Sequence, residues 1–338
     1  MAGLGGASGL GGTGGVSGLG GTGGVSGLGG AGGTGVTGGV GGASGLGGMG
    51  GSGSVGGMAG GGAGGMGGVG GMAGGGMAGT GGMMGTGDCC PDGNCLCHGP
   101  DPMGLTGDQG MFDYDTLELT TGTVFYPTDA EPPFAAIVIV PGFLNSGPEM
   151  YPWGEFYASH GFVLLAGYTL GSDFPDVRAA KLAAALTELK GENSNTSSPL
   201  SGKLAGRYGT SGYSMGGGGT TLAATADPSL MTSIGLAAWG PVGAGVTVPT
   251  LFLCGESDGT APCSGSEAAY GQMPDTTDKM LVSIPGTGHL AWFDQNAGNG
   301  RAGEYALAFQ KVFLAGDERW RPFLVMDPPT GSMMTNIE

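Results

Sequence analysis

The chain has 338 residues, 84 of them glycine, and its 10 Lys and Arg against 27 Asp and Glu give a formal net charge of −17. Such an acidic balance disfavours nucleic acid and anionic membranes as partners, and no apolar stretch approaches the ~20 residues that cross a bilayer. Composition is uneven enough that whole-chain averages mislead, so the chain is divided before its elements are read.

Met1–Gly87 contains no charged, aromatic, Pro, His or Cys residue. Glycine loses the most backbone entropy on folding and buries no side chain, so residues 1–87 are expected to be a disordered, low-complexity tether. A nine-residue repeat runs from Ser8 to Val16, recurs from Ser17 to Val25 and restarts at Ser26. It lacks the aspartate of calcium-binding rolls; a bundle of extended glycine helices is the alternative. Met1-Ala2-Gly3 has neither the charged nor the apolar region of an export signal. A secreted or cell-surface location is expected, with any signal or anchor lying outside this chain.

A cysteine-rich junction follows over residues 88–101. Cys89, Cys90, Cys95 and Cys97 precede His98 there; two disulfides are the primary reading, a zinc site the other, although the spacing is not that of a familiar zinc finger. Cys254 and Cys263 are the third candidate pair. Three bridges would imply an oxidising compartment.

A catalytic domain is expected over 102–326, with a C-terminal tail at 327–338. Leu117–Tyr126 reads as one or two antiparallel strands, and Phe134–Val140 as a strand buried on both faces. Glu149–His160 reads as a helix ending at Gly161, Phe162–Ala166 as a strand, and Val177–Lys190 as an amphipathic helix stopped by Gly191. Gly206–Ser211 is a strand less apolar than its place suggests, followed by a helix over Gly217–Ala226. Two further strands, Thr250–Cys254 and Met280–Ile284, flank a helix near Gly265–Gln272. Tyr305–Leu314 supplies the closing helix. This alternation predicts an α/β fold, with helices on both faces of a mostly parallel sheet and an active site at the carboxyl ends of the strands.

Gly212-Tyr213-Ser214-Met215-Gly216 fits the G-x-S-x-G turn that presents a nucleophilic serine between a strand and a helix. A serine nucleophile needs a base and an acid that orients it. Of the three histidines, His98 belongs to the junction and His160 to a helix end, whereas His289 follows the last strand. Asp258 follows an apolar strand and completes the order Ser, Asp, His of the α/β-hydrolase fold, with Glu256 as the competing carboxylate. Met215 and Phe143 are the expected backbone N–H donors to an oxyanion. These residues predict a serine ester hydrolase with an acyl-enzyme intermediate.

The segment from about Thr120 to Leu314 resembles the bacterial polyester hydrolases, the cutinase and PETase branch of the dienelactone-hydrolase-related α/β hydrolases. The resemblance rests on Ile139-Val140-Pro141-Gly142-Phe143, Ala158-Ser159-His160-Gly161-Phe162, the serine motif with its Gly216–Gly219 run, Val248-Pro249-Thr250-Leu251, Asp258 and Gly288-His289. It implies that Phe143 and Trp239 flank the substrate acyl group, a pairing suited to a flat or aromatic group. Tyr213, where the family has His or Trp, and Leu290, where it has Phe or Ser, would border the substrate groove. No lid insertion is apparent, which favours bulky substrates such as polyesters. A carboxylesterase or lipase for soluble esters would use the same triad, and a glycine-rich surface protein with an inert hydrolase domain is the alternative of a different class. No metal or cofactor is expected, nor a nucleic-acid partner or membrane-spanning segment; a monomer acting on a neutral ester or polyester is.

Overall fold

The computed structural model describes residues 89–90 and 93–338; the tether expected over residues 1–87 lies outside them. Nine strands form one sheet in the order β1-β2-β4-β3-β5-β6-β7-β8-β9. β1 (Tyr114–Glu118) and β2 (Gly122–Pro127) pair antiparallel, and β2 pairs antiparallel with β4 (Val163–Gly167). From β4 onward the ladder is parallel through β3 (Phe134–Val140), β5 (Leu204–Tyr213), β6 (Thr232–Leu236), β7 (Thr250–Gly255) and β8 (Lys279–Ile284). β9 (Ser332–Thr335), within the segment expected as a tail, closes the far edge antiparallel to β8.

Two hydrophobic clusters cover the two faces of this sheet, as alternating side chains of β3 show. Ile137 and Ile139 join Trp153, Phe156 and Tyr157 of α1 (Tyr151–Ser159) and residues of α5 (Arg301–Phe309). Val138 and Val140 join Leu182, Leu186 and Leu189 of α2 (Pro175–Glu192) and Ala224 of α3 (Met215–Ala226). This is the α/β-hydrolase arrangement, and helices on both faces explain why the central strands read as continuous apolar runs.

Some boundaries differ from those expected. α2 starts at Pro175, whose fixed φ suits a first helical turn, and passes through Gly191 to Glu192 instead of stopping there. The closing helix is α5, continued by a π-helical stretch over Gln310–Ala315. The low apolarity of β5 has a local cause, because its polar groups are paired. The Thr220 hydroxyl donates to that of Thr210 at 2.5 Å, and Arg207 donates to the carbonyls of Ala315 and Asn94 at 2.8 and 2.6 Å.

The junction is cross-linked within itself by two disulfides, Cys89–Cys97 and Cys90–Cys95, and meets the domain through His98. The His98 ring packs on Phe134 with centroids 5.3 Å apart, and its Nε2 contacts the Glu131 carbonyl at 2.8 Å.

Candidate active site

Five loops meet at the carboxyl ends of the parallel strands. The register places Val140 beside Gly212, Tyr213 beside Leu236, and Gly255 beside Ile284, so the segments following β3, β5, β6, β7 and β8 emerge together. Ser214 immediately follows β5 with φ 54° and ψ −117°, a backbone conformation rare for a residue with a side chain and typically worth about 1–3 kcal/mol of strain. Three main-chain bonds hold it there: its N–H donates to Leu236 O at 2.9 Å, and its carbonyl accepts from Trp239 N at 2.8 Å and Gly218 N at 3.1 Å. Glycines in the motif and in the facing loop are required by close approach. A Cβ on Gly216 would run into the Val140 and Pro141 carbonyls, and one on Gly142 would lie 2.8 Å from Ser214 Cβ.

Ser214, His289 and Asp258 form a connected chain. Ser214 Oγ is 3.0 Å from His289 Nε2, and His289 Nδ1 is 2.7 Å from Asp258 Oδ2. Asp258 is buried (4% exposed), and its other oxygen accepts from the N–H groups of Thr260 and Ala261, each at 2.8 Å. Those two bonds satisfy Oδ1, leaving Oδ2 to fix the imidazole. Glu256 turns away, accepting from Ser283 Oγ at 2.8 Å. The other histidines are elsewhere: His160 caps the end of α1 and contacts the Asp108 carbonyl at 3.0 Å.

The two expected oxyanion donors flank the serine. Met215 is the first residue of α3, where an N–H has no partner within the helix. In the loop after β3, Leu144 N–H donates to Gly171 O at 2.9 Å and Asn145 N–H to Gly142 O at 3.2 Å, while Phe143 N–H has no backbone acceptor among the described residues. Phe143 is 48% exposed, Trp239 38% and Leu290, next to His289, 76%. Three apolar residues on the loops around Ser214 and His289 are thus exposed, and Trp239 is not absorbed into the core.

Tyr213 is the correction among the expected groove residues. It is 2% exposed, because the last residue of β5 points into the molecule beneath the His289 loop. Its hydroxyl donates to His289 O at 2.8 Å, and its ring packs edge-on against Phe293. Burial, with a smaller contribution from the Asp258 charge, pushes the phenol up to about 12, so it stays a donor. The anchors of the same loop carry no motif. Trp292 is fully buried, donates through Nε1 to Gly288 O at 3.1 Å and accepts at its carbonyl from Trp153 Nε1 at 3.0 Å. The adjacent aromatic pair Trp292-Phe293 was the available signal.

Residues 92–338 match the family model described as PET hydrolase-like. The chain is 36% identical over 215 residues to cutinase est1 of Thermobifida alba, covering 62% of this chain and 70% of that protein. It is 34% identical over 215 residues to a cutinase of Thermobifida fusca, covering 62% and 69%. A bis(hydroxyethyl) terephthalate hydrolase of Streptomyces coelicolor is 35% identical over 209 residues, 60% of this chain and 65% of that protein. With the α/β-hydrolase sheet, the serine elbow and these matches together, the chain belongs to the PET hydrolase-like family.

Proposed function

We propose that this protein hydrolyses polyesters through a Ser214–His289–Asp258 triad and an acyl-enzyme. The chain is a carboxylic ester hydrolase, and the observation that supports the mechanism is the 3.0 Å and 2.7 Å hydrogen-bonded chain from Ser214 Oγ through His289 to Asp258. In the first half-reaction His289 Nε2 takes the Oγ proton as Ser214 bonds to the ester carbonyl carbon, and Asp258 stabilises the imidazolium that forms. The negative charge on the former carbonyl oxygen is received by the Phe143 and Met215 N–H groups. Collapse breaks the ester C–O bond, and His289 returns the proton to the leaving alcohol. In the second half a water gives a proton to His289 as its oxygen bonds to the acyl carbon; collapse then breaks the Ser214 Oγ–acyl bond, His289 returns the proton to Oγ, and the acid is released.

Three disulfides among the described residues support a secreted or cell-surface enzyme. Exposed Phe143 and Trp239, on loops that adjoin the serine turn, favour an aromatic or otherwise flat acyl group, and the name of the Streptomyces relative points to terephthalate esters. One preparation assayed on a soluble nitrophenyl ester, a bis(hydroxyethyl) terephthalate solution and an amorphous aromatic polyester film tests this reading. Release of aromatic diacid from the film is expected. Hydrolysis confined to the soluble esters would instead make the protein a carboxylesterase.

A further inference from the structure

We infer that Arg178, a buried arginine on α2, is the positioning residue that sets the oxyanion-binding loop after β3. The inference rests on the ester-hydrolase reading and extends it to a residue that touches neither the substrate nor the triad.

Arg178 is fully buried, with 0% exposure. Four of the five guanidinium N–H groups meet oxygen. Nη1 donates to Pro141 O at 2.8 Å and to Thr169 Oγ1 at 2.8 Å, Nη2 to Leu170 O at 3.2 Å, and Nε to Asp173 O at 2.9 Å. The fork geometry that lets one side chain satisfy several acceptors is particular to arginine. Its counter-charge is close by: the buried Asp173 carboxylate accepts from Leu170 N at 2.7 Å and pairs with Lys181 at 2.8 Å.

These contacts hold the oxyanion loop at both ends. Pro141 O is gripped directly, and the Pro141–Gly142 peptide plane precedes the Phe143 N–H by one residue. At the far end Thr169 Oγ1, itself held by Arg178, donates to Asn145 O at 3.1 Å. Between them Leu144, at a strained φ of 62°, donates its N–H to Gly171 O at 2.9 Å. The segment 169–173 is therefore a splint with one face on Arg178 and the other on residues 141–145. A donor misplaced by about 1 Å loses most of its value at the transition state, while the ground-state ester, carrying no full negative charge, is affected little. Loss of Arg178 should thus appear in kcat and not in KM.

Arg178→Met, Arg178→Lys and Thr169→Val are compared with the parent after the concentration of reactive serine is titrated with a fluorophosphonate, so that unfolded protein does not count. Per titrated site, kcat on a soluble ester falls roughly 10²-fold for Arg178→Met, with KM within about threefold and the pH midpoint of kcat unchanged. Arg178→Lys recovers part of the loss, and Thr169→Val, which keeps the arginine, loses roughly tenfold. Affinity for an aryl boronic acid, which carries the tetrahedral negative charge, falls in step with kcat. Parental kcat per titrated site in Arg178→Met overturns the inference, as does a loss confined to KM; if that variant does not fold, parental kcat in Thr169→Val does so. A parent that is not labelled at Ser214 removes the ester-hydrolase reading itself, and the inference with it.

Discussion

Asp258 divides its two oxygens between His289 and the Thr260 and Ala261 amides, which makes the acid a fixed part of its loop. Asp258→Asn preserves this shape but stabilises the wrong imidazole tautomer, so kcat should fall about 10³–10⁴-fold with little change in folding stability; stopped assays and calorimetry on the same sample check both. Tyr213→Phe removes one hydrogen bond to the His289 carbonyl, worth about 1 kcal/mol. A several-fold lower kcat with KM unchanged for both small and bulky esters is expected; a change in ester selectivity would return Tyr213 to the groove. That Ser214, His289 and Asp258 would meet was legible because each follows a strand in the order the proposed triad requires. Tyr213 was not, since a motif gives a position and not the face on which its side chain lies. Arg178 was hidden for another reason: an arginine on an amphipathic helix reads as solvated, and its four acceptors come from loops that only the folded chain brings together.

At the scale of elements, the strands at Phe134–Val140, Thr250–Gly255 and Lys279–Ile284 were legible because their apolar runs are buried on both faces. β6, Thr-Ser-Ile-Gly-Leu, is short and half polar, and its burial depends on partners such as Gln310, which accepts from Thr232 Oγ1 at 2.7 Å. β9 has four residues and exists through pairing with β8, so local sequence carries almost no signal for it. The Cys254–Cys263 disulfide ties the end of β7 to the first residue of α4 (Cys263–Gln272) and encloses Asp258. Closing so short a loop restricts the unfolded chain by about 2–3 kcal/mol. Cys254→Ala with Cys263→Ala should lower the unfolding free energy by about that amount and leave kcat per titrated serine near the parental value. An unchanged denaturation midpoint would show that the bridge contributes nothing to the acid loop.

For the whole molecule, the junction and the triad lie at opposite ends of the parallel strands. His98 packs on Phe134, which opens β3, and Asn94 is held by Arg207 near the start of β5, whereas Ser214 follows the end of β5. A shortened protein beginning at Cys89 should therefore keep kcat/KM on a soluble ester within about twofold of the full chain. The fastening of the junction also carries a pH dependence. Lys311 donates to His98 O at 2.9 Å and His160 O at 2.7 Å, and burial lowers its pKa to about 7 despite the nearby Asp317 charge. Burial likewise lowers that of His160 to about 4. Both groups bind protons more readily in the unfolded chain, so stability rises with pH from about 4 to 6.5 through His160, and from about 7 to 10.4 through Lys311. Urea unfolding across this range should show the upper slope reduced in Lys311→Met; an unaltered slope would remove Lys311 as its source.

Whether Ser214 is the nucleophile of an ester hydrolase is decided by turnover of one soluble ester by the full-length parent and by Ser214→Ala at equal folded concentration. A loss of at least about 10⁴-fold in kcat is predicted. Equal turnover by the two proteins would contradict it.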